Sequence, residues 1–188
     1  MKKNFALVLL GTYKLKHSNR LFEQIFPKIR MQKYRTKIEF DGRDYVGWQR
    51  QDNGPSIQAA VEEAISNFCG EQVEVIAAGR TDSGVHALGM TAHFSLVNNN
   101  HEPSTVRKAI NFHLGSQPIK IIETEIAPDN FHARFSATER RYLYRILNRN
   151  SPPTLDCGRV WHVPRKLDLA GMHQAAKVLI GEHDFSSF

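Results

Sequence analysis

VEVIAAGRTDSGVHALGMTAHFSL, residues 73–96, is the stretch on which the fold turns. Its ends read as strands, at about 72–78 and about 90–97. Between them GRTDSGVHALG (79–89) holds three glycines together with Arg80, Thr81, Asp82, Ser83 and His86. Helices and packed cores are not written this way, because glycine inside an element costs about 1 kcal/mol against alanine. In a loop the same residue frees the backbone for tight turns and close approach. The stretch is therefore strand, loop, strand, with the loop and its reactive groups at one end of a sheet.

Working outward, YRTKIEF (34–40) alternates Tyr34, Thr36, Ile38 and Phe40 with Arg35, Lys37 and Glu39, the period of a half-buried strand. Asp41-Gly42 ends it with turn chemistry. Ser56 is placed to cap a helix whose Ile57, Val61, Ala64, Ile65 and Phe68 share one face, and Gly70 closes it. On the other side, Pro103-Ser104 starts a second helix bearing Val106, Ala109, Ile110 and Leu114, with Gly115 as its stop, and IKIIETEIA (119–127) reads as a strand. The order β-α-β-β-α-β predicts an α+β chain with a ferredoxin-like split β-α-β domain. Residues 32–128 are assigned to that domain.

Residues 129–188 are read as the start of a second, incomplete α/β domain. FHARFSATERRYLYRILN (131–148) is expected to be one long strand or a pair, NSPPT (150–154) a loop, and Asp168 the cap of a last helix carrying Leu169, Met172, Ala176 and Leu179 up to Gly181. Residues 1–31 are set aside as an N-terminal extension, disordered or upstream of the natural start. Its basic opening and short apolar run resemble a signal peptide, but TYKLKHS follows where small cleavage-site residues are needed, and the run is too short to span a bilayer.

The net charge of +6 is not spread along the 188 residues. Residues 1–30 carry seven Lys/Arg against one acidic residue, and residues 31–188 carry eighteen of each sign. Within the balanced part, Arg134 to Lys166 holds eight basic residues against Glu139 and Asp156, interleaved with Tyr142, Tyr144 and Trp161. Cations among aromatics suit a phosphate backbone with stacked bases, and an ordinary solvated strand face would look the same. Cys69 and Cys157 lack metal-ligand spacing and are expected as reduced, buried thiols in the cytoplasm.

Asp82, between Gly79 and Gly84, can be presented on a backbone that lets a ligand approach. Arg80 and Asp82 fall on one side of a locally extended chain, where an ion pair would keep the carboxylate charged and oriented. Such a carboxylate can act as a nucleophile at a sugar carbon. The commoner alternative is an Asp that only hydrogen-bonds its own turn. The nine histidines show no ligand spacing, no GK[ST] follows a glycine cluster, and neither Ser83 nor Ser136 has a nucleophile elbow. Metal, nucleotide and serine-hydrolase chemistry are therefore disfavoured.

FDGRDYVGWQRQ (40–51), SIQAAVEEAI (56–65), AGRTDSGVHALG (78–89), NFHARFSATERRYLYRI (130–146) and GEHDFSSF (181–188) occur in this order, and together they resemble the TruA-type tRNA pseudouridine synthases. The resemblance implies isomerisation of uridine to pseudouridine in the anticodon stem-loop of tRNA, without cofactor or metal. It implies that Asp82 is the nucleophile, that Arg80 attends the flipped-out nucleotide, and that Tyr142 packs on the target base. Thr81 and His86 of the same motif, with Arg141 and Arg145, become expected substrate-binding residues. A cytoplasmic homodimer with no membrane attachment is implied as well. Extruding a base from its stack fits an aromatic platform, and a polyanion fits the Arg140, Arg141, Arg145 and Arg149 cluster.

Three departures accompany the resemblance. Ser83 stands where the family commonly has Ala, Met90 where it often has Gln, and the family's pattern continues past HDFSSF. The chain is thus expected to be a fragment or a degenerate product, with a noncatalytic tRNA-binding remnant as the alternative function. A small carboxylate-dependent glycosidase is a third, for which Asp184 would be the second acid.

Overall fold

The alternation at 34–40 belongs to strand β1, Met31–Phe40, in which Tyr34, Thr36, Ile38 and Phe40 are buried. The computed structural model describes residues 31–97 and 101–187, so the extension assigned to residues 1–31 lies, Met31 apart, outside the described residues. β1 is the axis of a four-stranded antiparallel sheet. The other strands are β2 (Ile76–Ala77), β3 (Ala87–Val97) and β4 (Ile119–Ile126), in the order β2-β3-β1-β4. Tyr34 stands opposite Phe94 of β3 and Ile126 of β4. The Tyr34 and Phe94 rings stack with centroids 5.6 Å apart.

Helix α1 (Ile57–Cys69) follows β1, and α2 (Pro103–Leu114) follows β3. Ser56 caps α1, its hydroxyl accepting from the Ala59 N–H, and Gly70 ends it in the left-handed conformation with φ 73°. The core joins Ile57, Val61, Ala64 and Ile65 of α1 with Val106, Ile110 and Leu114 of α2. Against these lie Ile38, Phe40, Phe94, Leu96, Ile119 and Ile121 of the sheet. Each such fully buried aliphatic side chain stabilises the fold by roughly 1.5–3 kcal/mol relative to exposure. Tyr45 and Trp48, from the β1–α1 connection, are buried in the same core, the Trp48 ring beside Phe40.

The strand expected over 72–78 is paired only at Ile76 and Ala77. Before it, the Val75 N–H donates to Glu62 Oε1 of α1 at 3.0 Å, so a side chain takes the donor a ladder would have used. The chain divides into one unit ending at Ser136 and another beginning at Ala137, eight residues beyond the expected 128. Residues 129–136 stay with the first unit because they lie across the outer face of its sheet. Lys33 Nζ donates to the carbonyls of Asp129 and Phe131, and the Ala133 N–H donates to His93 Nδ1.

The expectation of a long strand over 131–148 needs correction. Residues 131–136 form a turn closed by Ser136 N–H donating to the His132 carbonyl, and only β5 (Ile146–Asn148) is a strand. It pairs in parallel with β6 (Trp161–Val163). Among the described residues no strand pairs with 137–145, and Tyr142, Leu143 and Tyr144 are exposed. Asp168 does cap helix α3 (Leu169–Ala176), accepting from Ala170 and Gly171. The expected apolar face buries nothing, and a 3-10 turn at Lys177–Leu179 replaces the last helical turn. Neither cysteine forms a disulfide; Cys69 is half-buried but Cys157 is exposed on a turn, which corrects the expectation of two buried thiols. No described helix is long and apolar enough to cross a membrane.

Candidate active site

The loop between β2 and β3 owes its shape to a second loop behind it, the β1–α1 connection. The Trp48 N–H donates to the Thr81 carbonyl at 3.0 Å, and the Ser83 hydroxyl donates to the Tyr45 carbonyl at 3.2 Å. A turn from Asp82 to Val85 closes with the Val85 N–H on the Asp82 carbonyl, and Gly84 inside it has φ 77°, a region open mainly to glycine. The rear loop needs its own glycines. Gly47 has φ 124°, and a Cβ there would stand 2.7 Å from the Thr81 oxygen, while a Cβ at Gly42 would overlap the Val85 carbonyl. Trp48, buried in the core, thus fixes one end of the reactive loop through main-chain contact.

Braced in this way, Asp82 and Arg80 both reach solvent. Among the described residues neither takes part in an ion pair, so the Arg80–Asp82 pair expected from an extended chain is not formed. The carboxylate is oriented by its backbone rather than by a cation. Thr81 points the other way: its hydroxyl oxygen is buried and has no hydrogen-bond partner, and its carbonyl is taken by Trp48. His86 is half-buried, with Nδ1 3.0 Å from Asp41 Oδ1 and 3.1 Å from the Gly42 nitrogen. The structure therefore gathers Arg80, Thr81, Asp82 and His86 into one loop, but only the first and third turn outward.

The remaining expected site residues belong to the second unit. There Tyr142 is three-quarters exposed. Arg141 donates from Nε and Nη2 to Glu139, and Arg145 Nη1 is 3.1 Å from Asp156 Oδ1. Arg149 donates to the carbonyls of Ser151 and Pro152. These guanidiniums are held in place by neighbours while keeping area open to solvent, as phosphate contacts require.

Several structural partners escaped the sequence reading. Asp41 and Gly42 read only as a turn, yet they meet His86 across the loop. Glu62, on the buried face of α1, accepts from Arg50 (2.6 Å), Gln58 (3.0 Å) and the Val75 N–H. That places Arg50, in the same β1–α1 connection, on a fixed carboxylate. His93 is buried on the outer side of the sheet, its ring 4.9 Å from that of His132. Burial, then the charges of His132 and Lys33, hold its pKa below the usual histidine value. The glycine spacing of DGRDYVGWQ was the one available signal for the rear loop. Among the described residues no three His, Cys, Asp or Glu side chains converge to hold a metal ion.

Residues 37–136, which contain both loops, match the family model described as tRNA pseudouridine synthase. The chain is 57% identical over 158 residues to a tRNA pseudouridine synthase A of Rhodospirillum rubrum, covering 84% of this chain and 56% of that protein. It is 55% identical over 159 residues to the protein of that name from Rhodospirillum centenum, and 53% over 158 residues to that from Maricaulis maris. Both again take in 84% of this chain, with 64% and 63% of the relative. The chain thus spans a little over half to just under two thirds of the length of these relatives.

Proposed function

The chain belongs to the tRNA pseudouridine synthase family, and on that premise we propose that it isomerises uridine to pseudouridine in tRNA with Asp82 as the nucleophile. The observation that carries the proposal is the setting of Asp82: an exposed carboxylate on a loop braced from behind at Thr81, Ser83 and His86. In the reaction the N1–C1′ bond of uridine breaks and a C5–C1′ bond forms. C5 gives up a proton and N1 gains one, so the balance needs no oxidant or reductant. A carboxylate serves either by attacking C1′ as the base departs or by adding to C6. A preformed loop spends little on reorganisation during this step.

Arg80, exposed two residues before Asp82, is assigned to the phosphate or sugar edge of the extruded nucleotide, and Tyr142 to stacking on its base. Arg141 and Arg145 supply phosphate contacts. The target uridines are placed in the anticodon stem-loop, and the working form is a cytoplasmic homodimer that uses neither metal nor cofactor. In the fold, the order β2-β3-β1-β4 supports a ferredoxin-like arrangement of the first domain, and residues 137–187 are read as belonging to a second.

The test is to incubate the full chain with a tRNA transcript, digest it to nucleosides and separate them by chromatography. Appearance of pseudouridine at the expense of uridine is the expected result. Bound tRNA with no new nucleoside would leave an RNA-binding protein without this chemistry.

A further inference from the structure

We infer that His86 is a positioning residue, which with Asp41 and Gly42 clamps the far end of the Asp82 loop to the chain leaving β1 and so sets where the Asp82 carboxylate stands. The inference rests on the proposed role of Asp82 and adds a residue that acts through it. His86 Nδ1 lies 3.0 Å from Asp41 Oδ1 and 3.1 Å from the Gly42 nitrogen. Asp41 is itself immobilised. Arg43 donates to it from Nε at 2.9 and 3.1 Å and from Nη2 at 2.8 Å, and its own N–H donates to the Pro118 carbonyl at the foot of β4. The carboxylate is only 13% exposed. The Gly42 backbone meanwhile lies so close to the Val85 carbonyl that a side chain there would overlap it.

One ring nitrogen thus faces two partners that a single proton cannot serve together. With a lone pair on Nδ1, the Gly42 N–H donates to it; with a proton there, Nδ1–H donates to Asp41. Each arrangement gives the imidazole one hydrogen bond to the chain leaving β1, through Gly42 in one and through Asp41 in the other. The geometry matters because Asp82 sits between two anchors. Upstream, Thr81 is held by Trp48; downstream, past the Asp82–Val85 turn, His86 is held by Asp41 and Gly42. Losing the downstream anchor leaves the turn held only by Trp48 at Thr81 and by the Ser83 hydroxyl on the Tyr45 carbonyl, so that its far end can shift. A displacement of about 1 Å at a reacting group costs about 100-fold in rate.

A direct substrate contact by His86 makes the opposite kinetic prediction, which sets the experiment. His86→Ala and His86→Asn are compared in the full chain, since an Asn amide stands where Nδ1 stands and can turn either its oxygen or its nitrogen to the partners. Amide hydrogen exchange at Gly42, Trp48 and Val85 should quicken in His86→Ala by up to about tenfold, the scale of one lost hydrogen bond, and return towards the parent rate in His86→Asn. In tritium release from tRNA labelled at uridine C5, His86→Ala should lose roughly 100-fold in kcat with KM nearly unchanged. If His86→Ala melts below the assay temperature, His86→Gln takes its place, because its longer amide reaches the Nε2 position and misses Nδ1. Unchanged exchange at Trp48 and Val85, or a kept kcat, overturns the clamp. If the parent chain releases no tritium, it is the role of Asp82 that fails, and the exchange rates alone decide the clamp.

Discussion

Asp82 is aimed by main-chain contacts, and at the scale of single residues this makes Gly42 and Gly47 as consequential as any charged group. Gly47→Ala would force a side chain into φ 124° and against the Thr81 oxygen. The backbone strain alone is about 1–3 kcal/mol, so urea denaturation should show at least that loss. Turnover should fall as the loop is pushed outward, while tRNA affinity stays near the parent value. Away from the loop, buried His93 links stability to pH. Its folded pKa is lowered from the ordinary 6.5 by burial and by His132 and Lys33, so the unfolded chain binds the proton more readily. The stabilisation is then complete above about 6.5 and is lost as pH falls through the folded value. His93→Asn should flatten that part of a melting-temperature profile; an equally steep acid limb in the variant would place the titrating group elsewhere. The reactive loop was legible from its glycines and polar residues. The Asp41–His86 contact was not, because spacing along the chain carries no sign of which turn lies behind which.

Among the elements, helix α1 is legible in its caps and its apolar face: Ser56 accepts at the N-terminus, and Gly70 adopts the left-handed conformation that its lack of Cβ allows. The alternation in β1 was equally clear because one face packs on helices and the other does not. β2 was over-read for a physical reason. Val73 and Val75, just before it, pack inward like a strand, but Glu62 takes the Val75 N–H that pairing would need. Glu62→Ala should therefore loosen this edge as well as free Arg50. Leaving the Val75 donor without its partner costs about 1–3 kcal/mol, visible as a lower urea midpoint and faster exchange at Val75. A variant as stable as the parent would mean that another acceptor replaces Glu62. In the second unit the alternation of Tyr142, Tyr144 and Ile146 promised a strand, yet only Ile146–Asn148 finds a partner, since a strand's period fixes its faces and not what lies beside it.

At the scale of the molecule, the formal charge of the described part is nearly balanced, so the proposed tRNA binding relies on local groups rather than on the net field. Binding of tRNA should weaken with salt, and replacing Arg145 by Gln should reduce the slope of log Kd against log salt by about 1 if that side chain meets a phosphate. An unchanged slope would assign it to its Asp156 pair alone. The first unit carries the loop and its brace, and the second carries the aromatic and arginine groups proposed to take the RNA. The most direct test of the proposed chemistry is tritium release from C5-labelled tRNA by the full chain and by its Asp82→Asn variant, which keeps the shape of the side chain and removes its charge. Release by the parent and loss to background in the variant is the predicted result. Release from the variant at the parent rate would contradict a nucleophilic Asp82.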